Sequence, residues 1–76
     1  MIENLENLAV GARGRVKTLC CHGSIRRRLL DIGLIEGTMV ECLGRAPMGD
    51  PSAYLIRGAV IALRGQDCRL IQIEEA

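Results

Sequence analysis

The sequence predicts a mainly β fold: a single domain over residues 1–76, with five short strands closing into a small barrel and one short helix between the first two strands. Three observations lead there. Apolar and polar residues alternate over five short runs, the period of a half-buried strand. Glycine, proline and aspartate separate the later runs at hairpin-like spacing. The connections are too short for parallel crossovers, whereas a closed antiparallel sheet hides its edges.

The elements follow in order. Leu5, Leu8 and Val10 stand at helical or turn spacing before Gly11 interrupts them. Over residues 12–19, Ala12, Gly14, Val16 and Thr18 alternate with Arg13, Arg15, Lys17 and Leu19, so the basic side chains fall on the outer face. Ser24 offers an N-cap, Ile25, Leu29 and Ile32 form a helical stripe, and Gly33 stands where a left-handed residue ends a helix. Leu30 lies off that stripe, beside Arg26. The second strand covers residues 38–46, with Val40 and Cys42 on one side and Met39, Glu41, Leu43 and Arg45 on the other. Ala46, Pro47, Met48, Gly49, Asp50 and Pro51 form a turn-rich loop. Runs 52–57, 59–64 and 68–73 complete the sheet, with Tyr54, Ile56, Ile61, Leu63, Ile71 and Ile73 directed inward.

Composition bounds the function. The chain is 49% apolar but has one Tyr and no Phe or Trp, so its core is aliphatic and a ring-lined pocket is not expected. Missing aromatics also argue against single-strand recognition by stacking, and a net charge of +1 argues against a general nucleic-acid binder. The charge is uneven. Arg13, Arg15, Lys17, Arg26, Arg27 and Arg28 occur without an intervening acid, which suits an acidic protein face or anionic inner-leaflet headgroups. No run is long enough to span a bilayer, and the acidic opening residues do not read as a secretory leader. The expectation is a cytoplasmic chain with four reduced cysteines.

No catalytic constellation emerges. Cys20, Cys21 and His22 are adjacent, whereas zinc ligands are usually spaced, and no second ligand pair accompanies them. They read as a turn with ordinary thiols; no metal site or cofactor is assigned beyond weak transition-metal binding. His22 lacks an orienting acid and a glycine-rich oxyanion loop, so an enzyme is not expected.

The stretch RRRLLDIGLIEGTMVECLGRAPMGDP, residues 26–51, resembles the signature of the FeoA family of bacterial ferrous-iron uptake. The matching positions are Arg28-Leu29, Ile32-Gly33-Leu34, Glu36-Gly37 and the loop from Ala46 to Pro51. The likeness extends through LAVGARGRV upstream and IRGAVIALRGQDCRLIQIE downstream. It implies an SH3-like barrel acting as a cytoplasmic accessory of the FeoB-type membrane transporter for Fe²⁺, docked on that partner's cytoplasmic domain at the inner face of the membrane. The alternative is a metal-responsive binding domain like the C-terminal SH3-like domains of iron-dependent repressors.

The expected docking surface combines Arg26, Arg27 and Leu30 on the helix with Leu19, Met39, Leu43 and Leu55 on outward strand positions. Self-association is admitted as well. A competing expectation is that Leu5 and Leu8 fold back over some of these outward residues.

Overall fold

The computed structural model describes residues 2–76. The chain runs through β1 (Ile2–Asn4), a 3-10 turn (Leu5–Asn7), β2 (Arg13–Leu19), α1 (Gly23–Ile32), β3 (Met39–Arg45), β4 (Ser52–Ile56), β5 (Ala59–Leu63), α2 (Gly65–Cys68) and β6 (Ile71–Glu75). The class is mainly β, as predicted, but the described residues form six strands where five were expected. The added one is β1, which pairs antiparallel with β6. All six lie in one sheet ordered β1-β6-β2-β3-β4-β5, so β1 and β5 remain edges and the expected barrel is not closed.

Period-two patterning is kept where the ladders are regular. Tyr54, Ile56, Ile71 and Ile73 enter the core as expected, as do Val40 and Cys42. Ile61 is part-buried against them. In β2 the pattern breaks. Val16 pairs with Ile73 and Thr18 with Gln72, so Lys17 is an extra residue and the strand's phase reverses after it. Leu19 therefore turns inward to 7% exposure, opposite Ile71, and Thr18 turns out. The outward position expected for Leu19 is corrected by this bulge.

Helix α1 starts at Gly23 with His22 as its N-cap and no capping side chain, so Ser24 is inside the first turn rather than its cap. Leu29 alone enters the core from the helix; Ile32 packs part-buried, and Ile25 remains 44% exposed, against expectation. The helix thus meets the sheet through its C-terminal half. The run expected as a strand from residue 68 begins at Ile71. Cys68 and Arg69 instead close one helical turn on the carbonyls of Arg64 and Gly65.

Leu5 and Leu8 are fully buried in the same core. They join the interior instead of covering Leu43, which stays exposed. Arg45 fixes this segment by donating to the carbonyl oxygens of Leu8 at 2.6 Å and Glu6 at 3.4 Å, and to Ser52 Oγ at 2.9 Å.

Gly33 ends α1 in a left-handed conformation, φ 113°, and its N–H reaches the Leu30 carbonyl at 2.9 Å. A Cβ there would lie 2.6 Å from Arg57 Cδ. Gly33→Ala is expected to destabilise by about 1–3 kcal/mol, from backbone strain plus overlap. Arg57→Ala should relieve only the overlap. A double-mutant cycle on denaturant midpoints checks this, and strictly additive effects would show that the two residues do not meet.

Candidate interaction surface

The outer sheet face is assembled by register. Arg13 on β2 pairs with Glu41 on β3, Glu41 with Leu55 on β4, and Leu55 with Val60 on β5. Arg15 pairs with Met39 in the neighbouring row. A margin of mixed charge, Arg13 and Arg15 with Glu41, therefore passes into an apolar strip across the sheet. Arg13, Thr38, Met39, Glu41, Leu55, Arg57 and Gly58 line an open cleft of about 440 Å³. Among the described residues the ion pairs are Lys17–Glu74, Arg28–Asp67 and Arg69–Glu6, which leaves Arg13 and Arg57 without an acidic partner. Two guanidinium groups beside a Met–Leu floor suit an acidic segment that also carries an apolar side chain.

The structure brings Met39 and Leu55 together here. Leu43 is the extra residue where β3 slips against β4 between Cys42 and Gly44, and it is exposed farther along the strand. Leu19 is interior. The helical candidates line a separate cleft of about 330 Å³, formed by Gly23, Arg26, Arg27, Leu30 and Asp31. Leu30 is 36% exposed. Arg26 Nη1 donates to the Leu19 carbonyl at 3.1 Å, tying the helix to the end of β2. Arg28 pairs with Asp67 at 3.1 Å. Arg27 is exposed without such a tie among the described residues. Sequence reasoning singled out neither Arg57 nor Val60; alternation supplied their faces but not the cross-strand register that makes them neighbours.

The loop from Ala46 to Pro51 is braced by Gly49 N–H to Ala46 O at 2.7 Å and Ala46 N–H to Pro51 O at 3.0 Å. Asp50 Oδ1 accepts from Gly65 N–H at 2.9 Å and so ties the loop to α2. Met48 projects into solvent. Beneath the loop, Arg69 Nε donates to Glu6 Oε2 at 3.2 Å, and the buried Cys68 thiol donates to Tyr54 Oη at 3.5 Å. The Tyr54 hydroxyl is interior. Burial, then Cys68, raises its pKa well above the ordinary phenol. Burial likewise pushes the Cys68 thiol up, countered in part by its bond to Tyr54.

All four cysteines are free; Cys20 is exposed, and Cys21, Cys42 and Cys68 are buried. Among the described residues no three His, Cys, Asp or Glu side chains are grouped to hold a metal ion. No described helix is long and apolar enough to cross a membrane.

An open antiparallel sheet with a partly apolar, charge-rimmed outer face, and polar groups beneath its loop bonded to one another, defines the class: a small β domain. The family is shown by comparison. The chain belongs to the FeoA family, whose FeoA domain model matches residues 3–75. An Fe(2+) transport protein A/Fe(2+) transporter FeoB fusion protein of Porphyromonas gingivalis is 29% identical over 70 residues, covering 92% of this chain but 8% of the fusion. The family is thereby linked to ferrous iron transport. Iron(II) transport protein A of Clostridium thermocellum is 31% identical with a TM-score of 0.94, over 97% of this chain and 46% of that one. FeoA of Stenotrophomonas maltophilia, described as a prokaryotic SH3 domain protein and complexed with zinc, shares the fold at 22% identity and TM-score 0.83, over 95% and 89% of the two chains. A manganese-dependent transcriptional repressor shares it at 17% identity and TM-score 0.87, over 99% of this chain and 42% of that one.

Two outcomes are expected from the loop and its floor. Asp50→Ala should lower stability by about 1 kcal/mol, through the lost bond to Gly65; unchanged denaturant midpoints would detach the loop from the fold. The second concerns pH. An unfolded thiol loses its proton near pH about 8.5, while folded Cys68 retains it, so above that pH the unfolded state binds fewer protons and stability falls. Tyr54 continues the decline above about pH 10. Denaturant titrations at stepped pH should show the fall, with a shallower slope below pH about 10 in Cys68→Ala; equal slopes would exclude the thiol as its source.

Proposed function

We propose that the protein is a non-enzymatic accessory of ferrous iron import that docks on the cytoplasmic domain of an FeoB-type membrane transporter. The observation that carries this reading is the fusion protein, in which a relative of this domain shares one polypeptide with the transporter. Covalent joining holds two parts at high effective concentration, which favours a pair that works in contact. The protein then acts in the cytoplasm, at the inner face of the membrane while docked.

Two surfaces serve this contact. The outer sheet face offers Met39, Leu43 and Leu55 beside Arg13 and Arg57. The helix offers Leu30 with Arg27 and, through its remaining exposed part, Arg26. Apolar centres inside charged rims bind by burial and are oriented by charge. The same arginines give anionic inner-leaflet headgroups a secondary contact.

The likeness to the manganese-dependent repressor favours a second reading, a metal-responsive binding domain. Equilibrium dialysis against Fe²⁺ and Mn²⁺ separates the two: stoichiometric binding at micromolar metal supports the second reading, and weak binding the first.

Co-purification with the transporter's soluble cytoplasmic domain tests docking directly. Leu30→Glu should abolish binding and impair ferrous uptake while leaving the thermal midpoint near wild type. Met39→Glu should weaken binding at the sheet face. A collapsed melt for Leu30→Glu would make that residue part of the core, and full binding by both variants would move the contact elsewhere.

A further inference from the structure

The two sheet edges are managed differently. β1 is three residues long and carries Glu3, both of which discourage pairing with another chain. β5 has no such guard. Its residues, Ala59 to Leu63, include no charge and no proline, and its register with β4 runs without a bulge. Among the described strands only β4 pairs with it.

The turn decides which backbone groups are free. Arg57 and Gly58 link β4 to β5 with φ of 50° and 84°, the positive pair of a two-residue type I′ hairpin. In such a hairpin Ile56 and Ala59 exchange hydrogen bonds, and alternation gives Ile61 and Leu63 the same role. Val60 and Ala62 therefore direct N–H and C=O away from β4. Among the described residues no backbone bond outside the ladders engages either one. Their side chains lie on the outer face, where Val60 is 67% exposed and sits opposite Leu55.

We propose that the β5 edge is a strand-addition site for an extended partner segment that is apolar at alternate positions and acidic at its ends. This rests on the docking reading and names its mode. The backbone of Val60 and Ala62 supplies the ladder, and the outer-face strip selects alternate side chains. Charge sets the ends: Arg57 and Arg64 bracket the strand, and neither has an acidic partner among the described residues. That bracket also argues against a second copy. Two β5 strands paired antiparallel about Ile61 would place Arg64 of each chain beside Gly58 and Arg57 of the other, a like-charge meeting made twice. A segment with acidic ends meets attraction at both places.

The full chain, isotope-labelled, is titrated with a capped peptide of alternating valine and threonine bearing a glutamate at each end. A second peptide with lysine ends serves as the control. The glutamate-ended peptide should shift the Val60 and Ala62 amides and slow their exchange. The control should bind about three- to ten-fold more weakly, and Arg64→Glu should narrow that difference. Val60→Lys, a charge on a solvent-facing edge position, should weaken both peptides without altering the melt. The proposal is overturned by perturbations centred away from β5, by no perturbation of these amides, or by equal binding of the two peptides. Concentration-dependent self-association that Val60→Lys abolishes also overturns it, because the edge then belongs to a second copy. No transporter is present in this experiment. Peptide failure beside successful co-purification therefore removes strand addition alone, and the reverse pattern removes transporter docking alone.

Discussion

The fold depends on the pairing of β2 with β6, which joins the two ends of the chain. β6 then carries β1 on its other side, and β2 carries β3, so every later strand is placed through this one ladder. Ala76 N–H reaches the Arg13 carbonyl at 2.9 Å, extending the closure to the last residue. Bringing such distant residues together costs chain entropy before any local contact compensates for it. The return comes from burial: Val16 lies opposite Ile73 and Leu19 opposite Ile71, all within the core. The bulge at Lys17 makes both pairs inward-facing. Without the extra residue, Leu19 would fall on the outer face and the interior would lose one of its larger side chains.

A chain of this size without Phe or Trp has few large side chains with which to fill a core. It recruits its own N-terminal segment, so Leu5 and Leu8 fill part of the interior. That recruitment needs polar support, because the segment is mostly a turn with free carbonyls. Arg45 answers two of them, at Glu6 and Leu8, and Glu6 itself reaches Arg69. Exposed ion pairs add little by themselves. Their value here is geometric: the arginine spans from β3 to the turn and holds Leu5 and Leu8 over the interior. Asp50 does the same from the other side, fastening the loop after β3 to α2.

How much of this was legible varies with the physics involved. Strand positions that obey strict alternation, in β3 up to Cys42, β4 and β6, could be assigned to faces directly. Gly33 could be read as a helix stop because its left-handed conformation is one that few other residues adopt. The bulge at Lys17 left no mark, since any residue can be the extra one when both neighbours still satisfy their ladders. The helical turn at Gly65–Cys68 was likewise hidden. Four residues carry no periodicity, and Cys68 is as buried on a helix as it would be on a strand. Ile25 shows a different limit: helical spacing identifies a stripe but not how much of the helix length meets the sheet. The candidate surface was legible as a set of outward apolar residues. Its neighbours Arg13, Glu41, Arg57 and Val60 depend on register, which one chain's alternation does not specify.

The polar groups fall into two populations, those bonded within the fold and those left to solvent. Around the loop and the N-terminal turn, Arg45, Arg69, Glu6, Asp50, Tyr54 and Cys68 are bonded to one another or to the backbone. Another protein bonding to these groups would have to compete with internal bonds that already engage them. On the outer face, Arg13 and Arg57 have solvent as their alternative partner, and the apolar strip between them is already in water. Covering that strip releases water and costs no internal contact. The same asymmetry extends to the backbone, where the interior ladders are paired and, among the described residues, the outward groups of β5 are not. A small domain that commits its loop and N-terminal turn to closing its own core leaves its exposed apolar surface elsewhere: on the sheet's exterior, on the strand that borders it, and at Leu30 on the helix.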